Sequence, residues 1–197
     1  YSFSLILHQY LHSYPSNNCS LNNLGDNFSY FLQQTRPDAH QEEKEHWPDF
    51  MIELASFECS LNHLFDQEVA DTLLDHQQNQ ANKNTPDSQL TLIPVLKFFH
   101  QKHPIFAYYR AFNDELKPDL PLPKNSYGMI IRRNYRLGII DLNYGQYLFI
   151  KTLLEQKSID KAKRLLTKQK GQNTQSINDL WRHWREYLIE KGAFNQE

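Results

Sequence analysis

Tyr127-Gly128-Met129-Ile130-Ile131-Arg132-Arg133-Asn134-Tyr135-Arg136-Leu137-Gly138-Ile139-Ile140-Asp141 is the stretch on which the reading of this chain turns. Two apolar runs, β-branched or aromatic at many positions, flank Arg133-Asn134. That layout predicts a β-hairpin with strands over 127–133 and 135–141. Behind it, three amphipathic segments predict helices over 144–155, 159–168 and 177–191. Asn143, Ser158 and Ser176 stand as their N-caps, Asp179 follows Ser176 by three as in a capping box, and Gly192 suits the C′ position.

Upstream of the hairpin the character changes. Pro118, Pro121 and Pro123 fall within nine residues, and a stretch so rich in proline cannot sustain a helix. Residues 118–126 are therefore read as a connector between a domain at 1–117 and one at 127–197. The charge supports the same division. Residues 1–123 carry 7 Lys/Arg against 16 Asp/Glu, and residues 124–197 carry 14 against 7, although the net charge of the chain is only −2. Such asymmetry suggests either two units with different partners or an attraction across an internal interface.

The first domain reads as helical. A helix over 2–14 is expected to turn Phe3, Ile6, Leu7 and Tyr10 inward and to stop at Pro15. A second, over 24–34, carries Leu24, Phe28, Phe31 and Leu32 at helical spacing. After an acidic loop at 38–45, Trp47-Pro48-Asp49 opens the clearest helix. Its stripe is Phe50, Leu54, Phe57, Leu61, Leu64 and Phe65. A short apolar set (Val69, Leu73, Leu74) precedes a polar linker at 76–88. An extended segment at 90–99 surrounds Pro94, and a last helix runs from His103-Pro104 to Phe112. The predicted class is α+β, mostly α: a helical N-terminal domain, then a smaller, winged-helix-like domain built from a β-hairpin and helices.

Composition agrees with a folded globular chain: 40% hydrophobic, 22% charged and 13% aromatic, with only six glycines. No apolar run approaches the ~18 residues of a membrane span, and no signal-peptide pattern opens the chain, so a cytoplasmic location is expected. The chain begins at Tyr1 inside a helical stretch, so further residues are expected before it. Cys19 and Cys59 lack CxxC spacing and give neither a zinc site nor a disulfide framework. Cys59 lies in an apolar pattern and reads as a buried thiol.

Little in the sequence points to catalysis. His8 and His12 share a helical face at i, i+4, but Gln9 stands where a metalloprotease has its glutamate. No GxSxG, Walker-type or GxGxxG sequence is present. Glu58, at the edge of an apolar stripe, is expected to pair with Arg or Lys or to accept from backbone donors. Lys157, Lys161, Lys163, Arg164, Lys168 and Lys170 cluster on and around one helix beside the hairpin. That cluster is either a solvated face or, on a winged-helix-like unit, a DNA-binding surface. The slightly negative net charge makes nucleic acid the weaker reading. No catalytic residue and no metal, iron, copper or zinc, is expected in this chain.

Several segments, taken in order, resemble a known family. They are Leu24-Gly25-Asp26-Asn27-Phe28-Ser29-Tyr30-Phe31-Leu32, the entry Trp47-Pro48-Asp49 and the helix Leu54-Ala55-Ser56-Phe57-Glu58-Cys59. Ile130-Ile131-Arg132-Arg133, Leu180-Trp181 with Trp184, and Gly192-Ala193-Phe194 follow. The set resembles the HvfC/BufC-like (DUF2063) family, and its length resembles the branch serving methanobactin biosynthesis. The resemblance implies a non-catalytic subunit in a heterodimer with a DUF692-type multinuclear iron oxidase. Such a subunit helps bind the leader of a ribosomally made precursor peptide, whose cysteines become oxazolone and thioamide groups of a copper chelator. Iron would then belong to the oxidase, with no cofactor in this chain.

The hairpin is the expected leader site, because a free strand edge offers unpaired N–H and C=O groups to an extended segment. Met129, Ile131 and Ile139 are expected to give side-chain specificity, and Tyr127 and Tyr135 are also expected among the peptide-binding residues. Arg132, Arg133 and Arg136 are expected to attract leader carboxylates.

Overall fold

The computed structural model describes residues 3–15, 23–67, 84–170 and 174–196. It shows a mixed α+β fold in which helices dominate. The elements are α1 (Phe3–Ser13), α2 (Phe28–Gln34), α3 (His46–Asp66), a 3-10 turn (Asp87–Gln89), β1 (Leu90–Leu92), β2 (Leu96–Gln101) and α4 (Ile105–Asn113). After the proline stretch come β3 (Ser126–Arg133), β4 (Arg136–Leu142), α5 (Tyr144–Gln156), α6 (Ile159–Lys170), α7 (Thr174–Glu190) and β5 (Phe194–Gln196). No helix among the described residues is long and apolar enough to cross a membrane. Cys19, Val69, Leu73, Leu74 and the first part of the polar linker lie outside the described residues.

Two compact units emerge, Tyr1–His63 with His100–Ser126, and Leu64–Phe99 with Tyr127–Glu197. They do not follow a single cut at the prolines. Residues 64–99 group with the C-terminal part, because β1 pairs with the terminal strand β5 and β2 joins the hairpin in one sheet. Strand pairing is indifferent to sequence distance, which a linear partition cannot anticipate.

The first unit is held by aromatic side chains. Phe57 meets Phe106 at 5.4 Å and Tyr109 at 5.1 Å between ring centroids, and Phe50 meets Tyr108 at 4.8 Å, all edge-on. Tyr10 of α1 lies 5.0 Å from Phe28 and 5.4 Å from Phe31 of α2. Edge-on and tilted pairs of this kind add about 0.5–1.5 kcal/mol each beyond area burial. Of the four α1 residues expected inside, only Tyr10 is buried, while Phe3 is 58% and Leu7 38% exposed. Tyr10 is the ring that docks fully, while Phe3 meets Phe28 only edge-on at 6.5 Å and Ile6 is half-buried. Phe65, at the end of the α3 stripe, is likewise exposed. Helix α2 begins at Phe28, later than expected, after a turn over residues 23–27 closed by Asp26 N–Asn23 O and Phe28 N–Gly25 O bonds.

The second unit packs α5, α6 and α7 on one face of the sheet β2-β3-β4. Met129, Ile131, Ile140 and Leu142 leave the hairpin to meet Phe149, Leu166, Trp181 and Leu188, all buried. The hairpin turn falls at Asn134-Tyr135, one residue later than expected, with φ of 49° and 59°. Two consecutive positive φ values make the two-residue turn whose twist matches antiparallel strands. Asn143 forms a capping box with Gln146, their reciprocal bonds measuring 2.9 and 2.8 Å. Ser158 Oγ accepts from Lys161 N at 3.4 Å. Ser176 is not a cap: α7 already includes Thr174, and Asp179 accepts from Gln175 Nε2 at 3.4 Å instead. Gly192 ends α7 at φ 78°, with Gly192 N bonded to Ile189 O and Ala193 N to Leu188 O, a Schellman motif.

Candidate functional site

The register of the hairpin sorts its residues by what each can reach. Arg132 N donates to Val95 O beside β2, so Arg132 turns its backbone outward from β4. Arg132 faces Leu137 and Ile130 faces Ile139, and in antiparallel pairs the bonded and non-bonded residues alternate. The backbone groups of Leu137 and Ile139 therefore point to the outer edge of β4. With the strand order β2-β3-β4, β3 is internal and offers no edge, and β4 is terminal among the described strands. At its far end the edge meets α7, where Tyr187 Oη donates to Asp141 O at 3.1 Å.

The expected peptide contacts divide accordingly. Met129 and Ile131 are 0% and 3% exposed and belong to the core, so they read no ligand from the surface. They lie two residues apart and so share the face on which α5–α7 pack. Arg132 is 7% exposed; its guanidinium donates to Gln67 O and stacks over Tyr135 at 5.3 Å, so it is not a surface cation. Tyr127 is half-buried and packs its ring 5.3 Å from Tyr144 and 5.1 Å from Tyr147. Arg133 is half-buried beside Gly192. Tyr135 and Arg136 are exposed at the turn, and Ile139 is half-exposed. Of the eight residues, Tyr135, Arg136 and Ile139 are the ones that lie on β4 or its turn, and none of the three is buried.

The basic helix is divided as well. Lys163 is engaged inward, its Nζ 2.7 Å from Asp87 Oδ2, while Lys157, Lys161, Arg164 and Lys168 are exposed. A polar cluster lies within the first unit. The Glu53 carboxylate accepts from Lys102 N at 2.7 Å, His103 N at 3.1 Å and His103 Nδ1 at 2.9 Å, and His103 is 1% exposed. Ser126 Oγ donates to the His103 carbonyl at 2.6 Å rather than to its ring, so the group is not a nucleophile–base pair. Glu58 makes no ion pair with a described residue, and crowding by its neighbours raises its carboxyl pKa. His8 and His12 are exposed on α1 and join no cluster of three ligands among the described residues.

A trio that the sequence reading missed stands on α3 and the turn before α2. Asp26 Oδ1 lies 2.8 Å from His63 Nε2, and Cys59 Sγ lies 4.0 Å from Asp26 Oδ1. Cys59 Sγ is 3.8 Å from His63 Nε2 and 3.9 Å from Nδ1. Cys59 is half-exposed and not in a disulfide, which corrects the buried-thiol expectation. Residues 59 and 63 are one helical turn apart, and that spacing was the available signal. Asp26 is held by its turn, which Tyr10 fixes by donating its hydroxyl to Leu24 O. Burial raises the Tyr10 phenol pKa, and the nearby Asp26 and Cys59 push it the same way.

The chain matches no protein-family model and no curated protein sequence.

Proposed function

We propose that this chain is a non-catalytic, cytoplasmic partner subunit that binds an extended peptide segment along the outer edge of β4. The observation that carries this reading is the terminal position of β4, with Leu137 and Ile139 directing backbone groups away from β3. An added strand would gain main-chain bonds along this edge, with alternate side chains meeting Ile139 and the exposed Tyr135 and Arg136. Arg136, in a part of the chain with excess Lys/Arg, favours a segment containing carboxylates. Exposed pairs contribute only about 0–1 kcal/mol each, so the strand bonds set the affinity and the charges set orientation. On the family resemblance, the peptide is the leader of a ribosomally made precursor. The enzyme served is then a DUF692-type iron oxidase that converts precursor cysteines to oxazolone and thioamide groups.

The test joins co-purification with peptide binding. The chain and a DUF692-type oxidase are expected to elute as one heterodimer that retains a fluorescent leader peptide. Ile139→Pro removes one outward backbone donor at an edge, where proline is tolerated, and is expected to weaken the peptide roughly tenfold while the heterodimer persists. Unchanged peptide affinity in a folded Ile139→Pro chain would refute the edge site. Failure to elute with any oxidase, together with duplex DNA binding that falls steeply with salt and depends on Lys157, Lys161, Arg164 and Lys168, would replace the partner reading with DNA binding.

A further inference from the structure

The trio of Asp26, Cys59 and His63 places one carboxylate oxygen, one sulfur and one imidazole nitrogen within 4.8 Å of one another. We propose that these three residues form a binding site for a zinc-class divalent cation, with solvent completing the coordination shell. This site is independent of the peptide edge.

Distances carry the argument. Tetrahedral zinc with bonds of about 2.0–2.3 Å sets its ligand atoms roughly 3.2–3.7 Å apart. The observed separations, 2.8 Å for oxygen to nitrogen, 3.8 Å for sulfur to Nε2 and 4.0 Å for sulfur to oxygen, bracket that range. Closing on an ion therefore needs adjustments of roughly half an ångström. The sulfur is nearly equidistant from both ring nitrogens, so a rotation of the imidazole brings the Nε2 lone pair to the shared point. Its side chain is 53% exposed and has room to turn.

The scaffold is built before the ion arrives. Cys59 and His63 project from one face of α3, whose buried Phe57 and Leu61 fix that face. Asp26 sits on a turn tied to Tyr10, and Tyr10 is 2% exposed within its ring cluster. Thiolate, imidazole and carboxylate together favour Zn²⁺ over Mg²⁺ or Ca²⁺, which seek oxygen-rich shells. Binding releases the thiol proton to solvent and leaves the imidazole neutral. With three protein ligands and partial exposure, the fourth position belongs to water.

A Cys–His–Asp catalytic triad fits the same residues poorly. A triad carries the nucleophile on one ring nitrogen and the carboxylate on the other. Here Nε2 is bound to Asp26, and the sulfur lies almost equally far from both ring nitrogens, 3.8 Å from Nε2 and 3.9 Å from Nδ1, so no one nitrogen is set apart as its base.

The experiment uses the intact, reduced and chelator-stripped chain titrated with Zn²⁺, and with Co²⁺ as a spectroscopic stand-in. The expected result is saturation near one equivalent, a rise in the unfolding temperature and a thiolate-to-cobalt charge-transfer band. Loss of a second-sphere partner alone costs about 10–100-fold in affinity, so Asp26→Asn, Cys59→Ser and His63→Gln should each lose at least that. Cys59→Ser should also abolish the band, while Cys19→Ser leaves binding and band intact. Because His63 is largely exposed, His63→Gln should fold even if Cys59→Ser does not. The proposal is overturned by no saturable Zn²⁺ binding, by wild-type affinity in a folded Asp26→Asn/His63→Gln chain, or by a band that follows Cys19.

Discussion

Trp181 donates its indole N–H to Asp87 Oδ2 at 2.7 Å, across 94 positions of sequence. The same carboxylate receives Lys163 Nζ at 2.7 Å and Arg185 Nε at 3.1 Å. One acidic residue at the end of a polar linker thus ties the start of β1 to α6 and α7. Asp87→Ala removes the acceptor shared by two cations and an indole N–H, and hydrogen bonds to a charged group are worth about 1.5–3 kcal/mol each. A loss of roughly 2–4 kcal/mol is expected, read as a lower denaturation midpoint at unchanged slope. A change under ~0.5 kcal/mol would mean that solvent replaces the carboxylate at no cost.

Acid should release the loop before α3. Arg36 grips Asp38 through Nε at 2.5 Å and Nη2 at 2.9 Å, and Glu45 N donates to the same carboxylate at 2.8 Å. The Arg36 side-chain bonds lead in lowering the Asp38 pKa from 3.8 to about 2, and the Glu45 backbone bond helps. A depressed carboxylate contributes stability that is complete above the unfolded value and lost as pH falls through the folded one. The native chain should therefore lose stability between about pH 4 and pH 2 through this group. Asp38→Asn should be less stable at pH 7 and flatter in that window. Parallel acid profiles for the two proteins, followed by far-UV circular dichroism in denaturant, would contradict the assignment.

Both ends of the C-terminal helices make local predictions. Asn143→Ala removes a capping box and should cost about 1 kcal/mol. Gly192→Ala forces a side chain to φ 78° and sets its Cβ 3.0 Å from Arg133 Nη1. The left-handed conformation alone should cost about 1–2 kcal/mol. Thermal unfolding of the two single variants and the double variant should show additive losses, since the caps share no partner.

The hairpin should separate stability from binding. Met129→Ala opens a cavity in a fully buried site and should cost about 2–5 kcal/mol. Arg136→Ala, at the exposed turn, should leave stability within ~0.5 kcal/mol while slowing peptide association at low salt. If Arg136→Ala unfolds the chain, its exposure has been misassigned; if Met129→Ala is neutral, the core has.

Periodicity made the helices and the hairpin legible before any coordinates, because an apolar stripe or an alternating strand is a local consequence of which face must be buried. Asn143 and Gly192 were legible for a similar reason: capping and positive φ depend on a handful of adjacent residues. Ser176 misled because a cap motif has no meaning until the helix start is known. Met129, Ile131 and Arg132 looked available to a ligand from their strand, yet the helical core covers Met129 and Ile131, and Gln67 and Tyr135 engage Arg132. The sequence also contained the one-turn spacing of Cys59 and His63, but not Asp26 beside them. That oxygen arrives only because Tyr10 packs on Phe28 and Phe31 and pins the turn at Leu24. Local pattern determines which elements form and which face each buries. Which distant side chains then share a few ångströms depends on how those faces dock, and docking is decided by shape and by bonds between residues that have no sequence relation to one another.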